Sequence, residues 1–270
     1  AKVIFNSLTL KNTPILILTM GKVASTSVHE SLKAKVKNCG IYHIHFLSEN
    51  MINSSNVFFK SKSIPTPYHI AISSALNKVN AKEDSKIITL VREPISRIVS
   101  DFFQNYKKYE PELLSSNKEE FKKNVLDSIT KSIYEYEPRD NYETKWFDEE
   151  IVSNLGIDIY EQDFDYSDGY KIYPDANEGR LIIIRLEDLD ECFSKAMNEF
   201  LNVNNVSMIV NNAGKNKEYS EIYDYIKANL VIPKSVCEKI YSTKYMRYFY
   251  SQEEINNFVK KWSLKNTGVC

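Results

Sequence analysis

Short apolar runs separated by helix signals constrain the fold of this chain more than any other feature. Pro14-Ile-Leu-Ile-Leu-Thr-Met20 is apolar at consecutive positions rather than alternate ones, the pattern of a strand covered on both faces. Gly40-Ile-Tyr-His-Ile-His-Phe46, Lys86-Ile-Ile-Thr-Leu-Val-Arg92 and Arg180-Leu-Ile-Ile-Ile-Arg-Leu186 repeat the pattern at similar length. Helical stretches lie between them. Ser25 to Val36 follows the first run, and Thr66-Pro67 reads as an N-cap followed by proline at the first helical position. Pro94 opens a helix in which Ile95, Ile98, Val99, Phe102 and Phe103 recur at helical spacing. Strands alternating with helices need crossover connections, so the expected class is α/β with a central, mainly parallel sheet.

The rest of the chain reads as mostly helical. Lys118 to Tyr136 is a charged helix, and Tyr142 to Gly156 an amphipathic one ending at a glycine cap. Asp158 to Gly179 reads as short strands or loops, and Asp190 as the cap of a helix bearing Phe193, Ala196, Met197, Phe200 and Leu201. Near the carboxyl terminus Ser251-Gln-Glu-Glu254 is a capping box. No internal repeat or linker interrupts the chain, so residues 1–270 are expected to form a single domain with a helical carboxyl-terminal part.

Composition narrows the function classes. Lys+Arg 35 against Asp+Glu 36 leaves a net charge of −1, so binding of nucleic acid through bulk charge is not expected and any anion site must be local. No apolar run approaches the ~20 residues of a membrane span. Cys39, Cys192, Cys237 and Cys270 are scattered without metal-ligand spacing, which argues against zinc and disulfides and for a reducing, cytoplasmic compartment.

Two segments carry chemistry. In Thr19-Met-Gly-Lys-Val-Ala-Ser-Thr-Ser27 a buried strand turns into a helix, aiming backbone N–H groups and the positive helix end at one point. Lys22 adds a charge, and Ser25, Thr26 and Ser27 add hydroxyls. The spacing is not that of the nucleoside-triphosphatase loop, because the lysine lies before the helix and no glycine follows it. The second segment is Arg92-Glu-Pro-Ile-Ser-Arg-Ile-Val-Ser100. Arg92 ends a strand where α/β sheets bind ligands, and Arg97 and Ser100 lie three apart on one helical face. A guanidinium fork with a hydroxyl suits a phosphate monoester.

Taken together, these segments resemble those of sulfotransferases that use 3′-phosphoadenosine 5′-phosphosulfate (PAPS). The run from Lys22 to Ser27, through Ala24, looks like the family's 5′-phosphosulfate loop, although many members carry glycine where this chain has Ala24. Arg92-x-Pro94-x-x-Arg97-x-x-Ser100 looks like the 3′-phosphate motif. Arg185-Leu-Glu-Asp-Leu189, Lys145-Trp-Phe147, the Asn212 to Tyr219 stretch and Tyr248-Phe-Tyr-Ser251 are similar to bacterial enzymes of the capsular-polysaccharide type. The resemblance implies a P-loop-like three-layer fold and transfer to a carbohydrate hydroxyl, with 3′-phosphoadenosine 5′-phosphate (PAP) as product and no metal. Related animal enzymes are Golgi membrane proteins, which keeps a lumenal location open.

For the chemistry, Lys22 is the expected cation beside the leaving phosphate oxygen. The proton acceptor is sought in Tyr42-His-Ile-His-Phe46, where His43 and His45 share one face of a strand. His45, nearer the strand end, is the first choice, with His43 orienting it or touching the acceptor; Glu49 is the nearest carboxylate alternative. His29 and His69 read as structural, His29 on the outer side of its helix. Glu187 and Asp188 read as strand-exit residues, and Trp146 and Trp262 as core. Lys215 and Lys217 could add charge near a 3′-phosphate, and the Tyr160 to Tyr173 stretch could line a sugar subsite. The rival readings are a nucleotide-dependent kinase of related fold and a noncatalytic nucleotide-binding component of polysaccharide assembly.

Overall fold

The computed structural model describes residues 13–81, 83, 85–109, 117–138, 141–173, 180–209 and 220–264. It divides into two compact units, Ala1–Arg92 with Lys145–Asn211, and Glu93–Thr144 with Asn212–Cys270.

The first unit holds a five-stranded sheet. Its strands are β1 (Ile15–Leu18), β2 (Ile41–Ile44), β3 (Lys86–Val91), β4 (Tyr170–Tyr173) and β5 (Leu181–Arg185), in the order β2-β1-β3-β5-β4. All pairings are parallel except that of β4, which runs antiparallel to β5 at the edge. The four apolar runs supply the parallel strands, and β4 comes from the Tyr-rich stretch. β1 and β5 are buried throughout because they are interior and covered on both faces. β2 is only half-buried, as its place at the sheet edge requires.

Helix α1 (Ser25–Lys35) connects β1 to β2; α2 (Glu49–Ser61) and α3 (Tyr68–Lys78) connect β2 to β3. On one face Ile15, Ile17, Ile88, Leu90, Ile182 and Ile184 form a core with Val28 and Leu32 of α1 and with helix α7 (Leu189–Leu201), through Phe193, Met197 and Phe200. The N-cap of α7 is Asp188 rather than Asp190, and its carboxylate is held by Arg185 instead of the helix N–H groups. Helix α3 begins at Tyr68 with Pro67 as N-cap, one residue later than the Thr66-Pro67 pair suggests.

The second unit is helical. Its elements are α4 (Pro94–Tyr109), α5 (Lys118–Tyr134), the start of α6 (Tyr142–Trp146), α8 (Ser220–Asn229), α9 (Lys234–Tyr241), α10 (Lys244–Phe249) and α11 (Gln252–Ser263). α5 buries Phe121, Val125, Ile129 and Ile133, a strict four-residue recurrence that packs it against α4 and α8. The capping box forms at Ser251 and Glu254, and α11 buries Ile255, Val259 and Trp262. No helix among the described residues is long and apolar enough to cross a membrane.

Candidate active site at the carboxyl ends of β1, β2 and β3

The chain leaves β1 on one side to form β2 and returns on the other side as β3, so the strand order reverses between β1 and β3. In open α/β sheets the crevice beyond the carboxyl ends at such a reversal receives ligands, because the connections diverge there. The turn from β1 to α1 and the residue that follows β3 flank this point. They carry Lys22 and Arg92.

In that turn Lys22 (φ 71°) and Ala24 (φ 61°) are both left-handed, on either side of Val23. Left-handed residues set between right-handed ones direct backbone N–H groups inward and form an anion-binding hollow. Ala24 is the N-cap of α1 and has no side chain to satisfy the first-turn N–H groups. Ser25 and Ser27 are buried and Thr26 is exposed. Thr19 is fully buried, and its Oγ1 has no hydrogen-bond partner among the described residues. Arg92 Nη1 donates to the Lys22 carbonyl at 3.0 Å, so the two sequence segments meet in one place.

His45 follows β2, and its Nδ1 lies 2.8 Å from the Thr19 carbonyl. A carbonyl can only accept, so Nδ1 carries the proton of the neutral ring and Nε2 holds the lone pair. All four histidines of the chain join in a row of rings. His29 of α1 lies 5.9 Å from His43, His43 5.0 Å from His45, and His45 4.9 Å from His69 of α3. His29 therefore faces the sheet edge, correcting the expectation that it sits on the outer side of its helix. Burial, followed by repulsion from His45, His29 and His69, pushes the His43 imidazole down to about 3. It is neutral at physiological pH, and its Nε2 is buried without a partner among the described residues.

The segment after His45 is held by Trp146, expected only to fill the core, and by Glu150, which no motif marks. Trp146, the last residue of α6, is buried and donates Nε1–H to the His45 carbonyl at 2.8 Å. The chain then makes a π-helical turn, Phe147–Ser153, in place of the continuous α-helix expected to Gly156. From it Glu150, 0% exposed, accepts from Leu47 N at 2.8 Å and Ser48 N at 3.0 Å through Oε2, and from Ser48 Oγ at 2.9 Å through Oε1. Asn77 of α3 donates to the Leu47 carbonyl at 2.7 Å. Burial pushes the Glu150 carboxyl up to about 7, against the lowering effect of the Leu47 and Ser48 hydrogen bonds and with Glu149 adding to the rise. Single-turn π-helices recur at functional sites, where the wider turn re-aims a side chain. Glu49, the carboxylate alternative, is the exposed first residue of α2.

In the second unit Arg97 is committed elsewhere. Its Nε donates to Glu143 Oε1 at 2.8 Å, Tyr136 OH donates to Glu143 Oε2 at 3.0 Å, and the guanidinium lies 4.9 Å from the Tyr142 ring centre. Burial disfavours the guanidinium charge, but Glu143, then Tyr142 and Asp101, outweigh it and hold the group firmly protonated. Arg97 therefore serves this buried pair rather than the phosphate fork expected of it. Glu93 is also buried; it accepts from Ile95 N, Ser96 N, Tyr241 OH and Trp262 Nε1. Ser100 is half-buried on α4 in the same unit. Lys215, Lys217 and the whole Asn212 to Tyr219 stretch lie outside the described residues. No group of His, Cys, Asp and Glu able to hold a metal ion occurs among the described residues.

Residues 123–251 match the family model NKWYS, described as "Putative capsular polysaccharide synthesis protein". The matched stretch includes Trp146, Glu150, Arg185 and Glu143, and leaves out Lys22, His45 and Arg92. No curated protein and no solved structure matches the chain.

Proposed function

We propose that this protein is a sulfotransferase that moves the sulfuryl group of PAPS to a hydroxyl of a carbohydrate acceptor. The observation that carries the reading is the meeting of Lys22 and Arg92 at the reversal of strand order, joined by a 3.0 Å hydrogen bond. Two separate segments, each with a cationic residue, come together there, which suits a nucleotide phosphorylated on both sides of its ribose. The left-handed hollow and the α1 terminus without a capping side chain suit its 5′-phosphosulfate, and Arg92 suits its 3′-phosphate. Ser100, in the second unit, enters only through the resemblance of its motif.

In this reading the acceptor hydroxyl gives its proton to His45 Nε2 as its oxygen bonds to sulfur. The bond from sulfur to the bridging phosphate oxygen breaks, PAP leaves, and Lys22 balances the charge gathering on that oxygen. Sulfuryl transfer, like phosphoryl transfer, passes through a loose transition state, so positioning and charge stabilisation supply most of the catalysis. The His45 tautomer fixed by the Thr19 carbonyl supports the base assignment. The polysaccharide description of the matched family supports a glycan acceptor.

The test is calorimetric titration with PAP in the absence of magnesium, followed by mass spectrometry of glycan fragments incubated with enzyme and PAPS. Binding with a mass gain of one sulfate is expected. Replacing His45 with Ala should cut turnover on the order of 10²-fold or more while PAP affinity is kept. Magnesium-dependent binding of ATP in place of PAP would overturn the reading in favour of a kinase. PAP binding without transfer to any glycan would favour a noncatalytic component.

A further inference from the structure

The segment from residue 31 to residue 82 is poor in acid, and the carboxylates beside the start of α2 come from the π-helical turn, Glu149 on Asn50 and Glu150 on Leu47 and Ser48. Between Glu30 and Glu83 the sequence has Glu49 alone, against Lys33, Lys35, Lys37, Lys60, Lys62, Lys78 and Lys82. In a chain of net charge −1 this is a strong asymmetry of the sequence segment that holds α2 and α3.

Within this region α2 and α3 pack against each other, and α3 packs on β2. Their outer surface is unusual. Asn53, Val57 and Lys60 recur along one line of α2, and all are exposed. Val57 is 69% exposed, Phe58 44%, and Tyr68, the first residue of α3, 70%. Neither the Lys60 nor the Lys62 ammonium has an ion-pair partner among the described residues. Favourable alignment with the α2 dipole accounts for one lysine in the last turn, but not for the exposed aromatics. Tyr68 adjoins His69, whose ring lies 4.9 Å from that of His45.

We propose that this surface, from the Lys60–Lys62 turn to Tyr68, docks an anionic carbohydrate chain and presents it to His45; the inference rests on the transferase reading for its direction. Aromatic and aliphatic faces pack on the apolar faces of pyranose rings. Lysines pair with carboxylate or ester groups, and Asn53 hydrogen-bonds hydroxyls. The interspersed neutral polar residues fit a hydroxyl-rich chain better than a lipid surface, which would favour a continuous apolar face.

The experiment compares wild type, Tyr68→Ala and Lys60→Gln/Lys62→Gln in binding an oligogalacturonate, neutral dextran, phosphatidylglycerol vesicles and PAP. These side chains are exposed, so the variants fold. The oligogalacturonate should bind, dextran should not, and either variant should weaken the uronate roughly tenfold with PAP affinity unchanged. Absence of uronate binding by wild type, equal binding of dextran, or wild-type affinity in both variants would overturn the proposal. So would loss of vesicle binding alone in the variants, which would mark a membrane surface. If uronate binding depends on Tyr68 and the lysines but PAP does not bind, the docking surface stands and the transferase reading falls.

Discussion

Ala24 adopts a backbone conformation that an L-residue enters at a cost of roughly 1–2 kcal/mol. Glycine would escape that cost but lose about 0.5–1 kcal/mol through the greater freedom of its unfolded chain. The balance favours glycine, and more so because glycine is a better N-cap than alanine. Ala24→Gly should therefore stabilise the protein by roughly 0.5–1 kcal/mol in urea unfolding; a loss of stability would mean that the methyl group makes packing contacts worth more than the strain. At this scale Lys22, Arg92 and His45 are legible in the sequence because each sits at a strand end, where chain direction alone fixes its place. His29 and His69 are not, since the way a helix side chain faces depends on what the helix packs against. Arg97 has the chemistry of a phosphate ligand, but its partner Glu143 lies forty-six positions further along the chain, and no local pattern announces that pairing.

Among the elements, the π-helical turn Phe147–Ser153 controls the backbone that follows His45. Its Glu150 holds its proton more tightly in the folded chain, at about 7, than at the ordinary 4.5. The stability it contributes is full below about 4.5 and is lost as pH rises through about 7, where a buried carboxylate must ionise; the difference is roughly 3 kcal/mol. Glu150→Gln keeps an acceptor for Leu47 and Ser48 and cannot ionise. Urea unfolding of this variant should vary less with pH across that window than unfolding of the wild type, and equal slopes would remove Glu150 as the titrating group. The parallel strands are legible because a short, continuous apolar run suits little besides a strand covered on both faces. A π-turn is not, since its sequence keeps the amphipathic spacing of an α-helix, and nothing local separates buried Glu150 from Glu149, which pairs with Asn50 at the surface.

At the scale of the whole molecule, the first unit is interrupted by residues Glu93–Thr144 of the second. β3 must pair with β5 across that entire segment, and Glu93 depends on Tyr241 and Trp262 far along the chain. These two dependencies are satisfied at different moments as a polypeptide leaves the ribosome. The sheet can close once α7 has emerged, while Glu93 waits with its carboxylate incompletely bonded until the final helix is released. Nascent chains stalled with Asn211 clear of the exit tunnel should resist protease within the sheet and be cut within 93–144. Chains with no protected sheet until Ser263 has emerged would instead mean that both units form in a single late step. Synthesis thus gives this protein a vectorial assembly order, with the sheet-bearing half finished first and the other half left for the carboxyl terminus to complete.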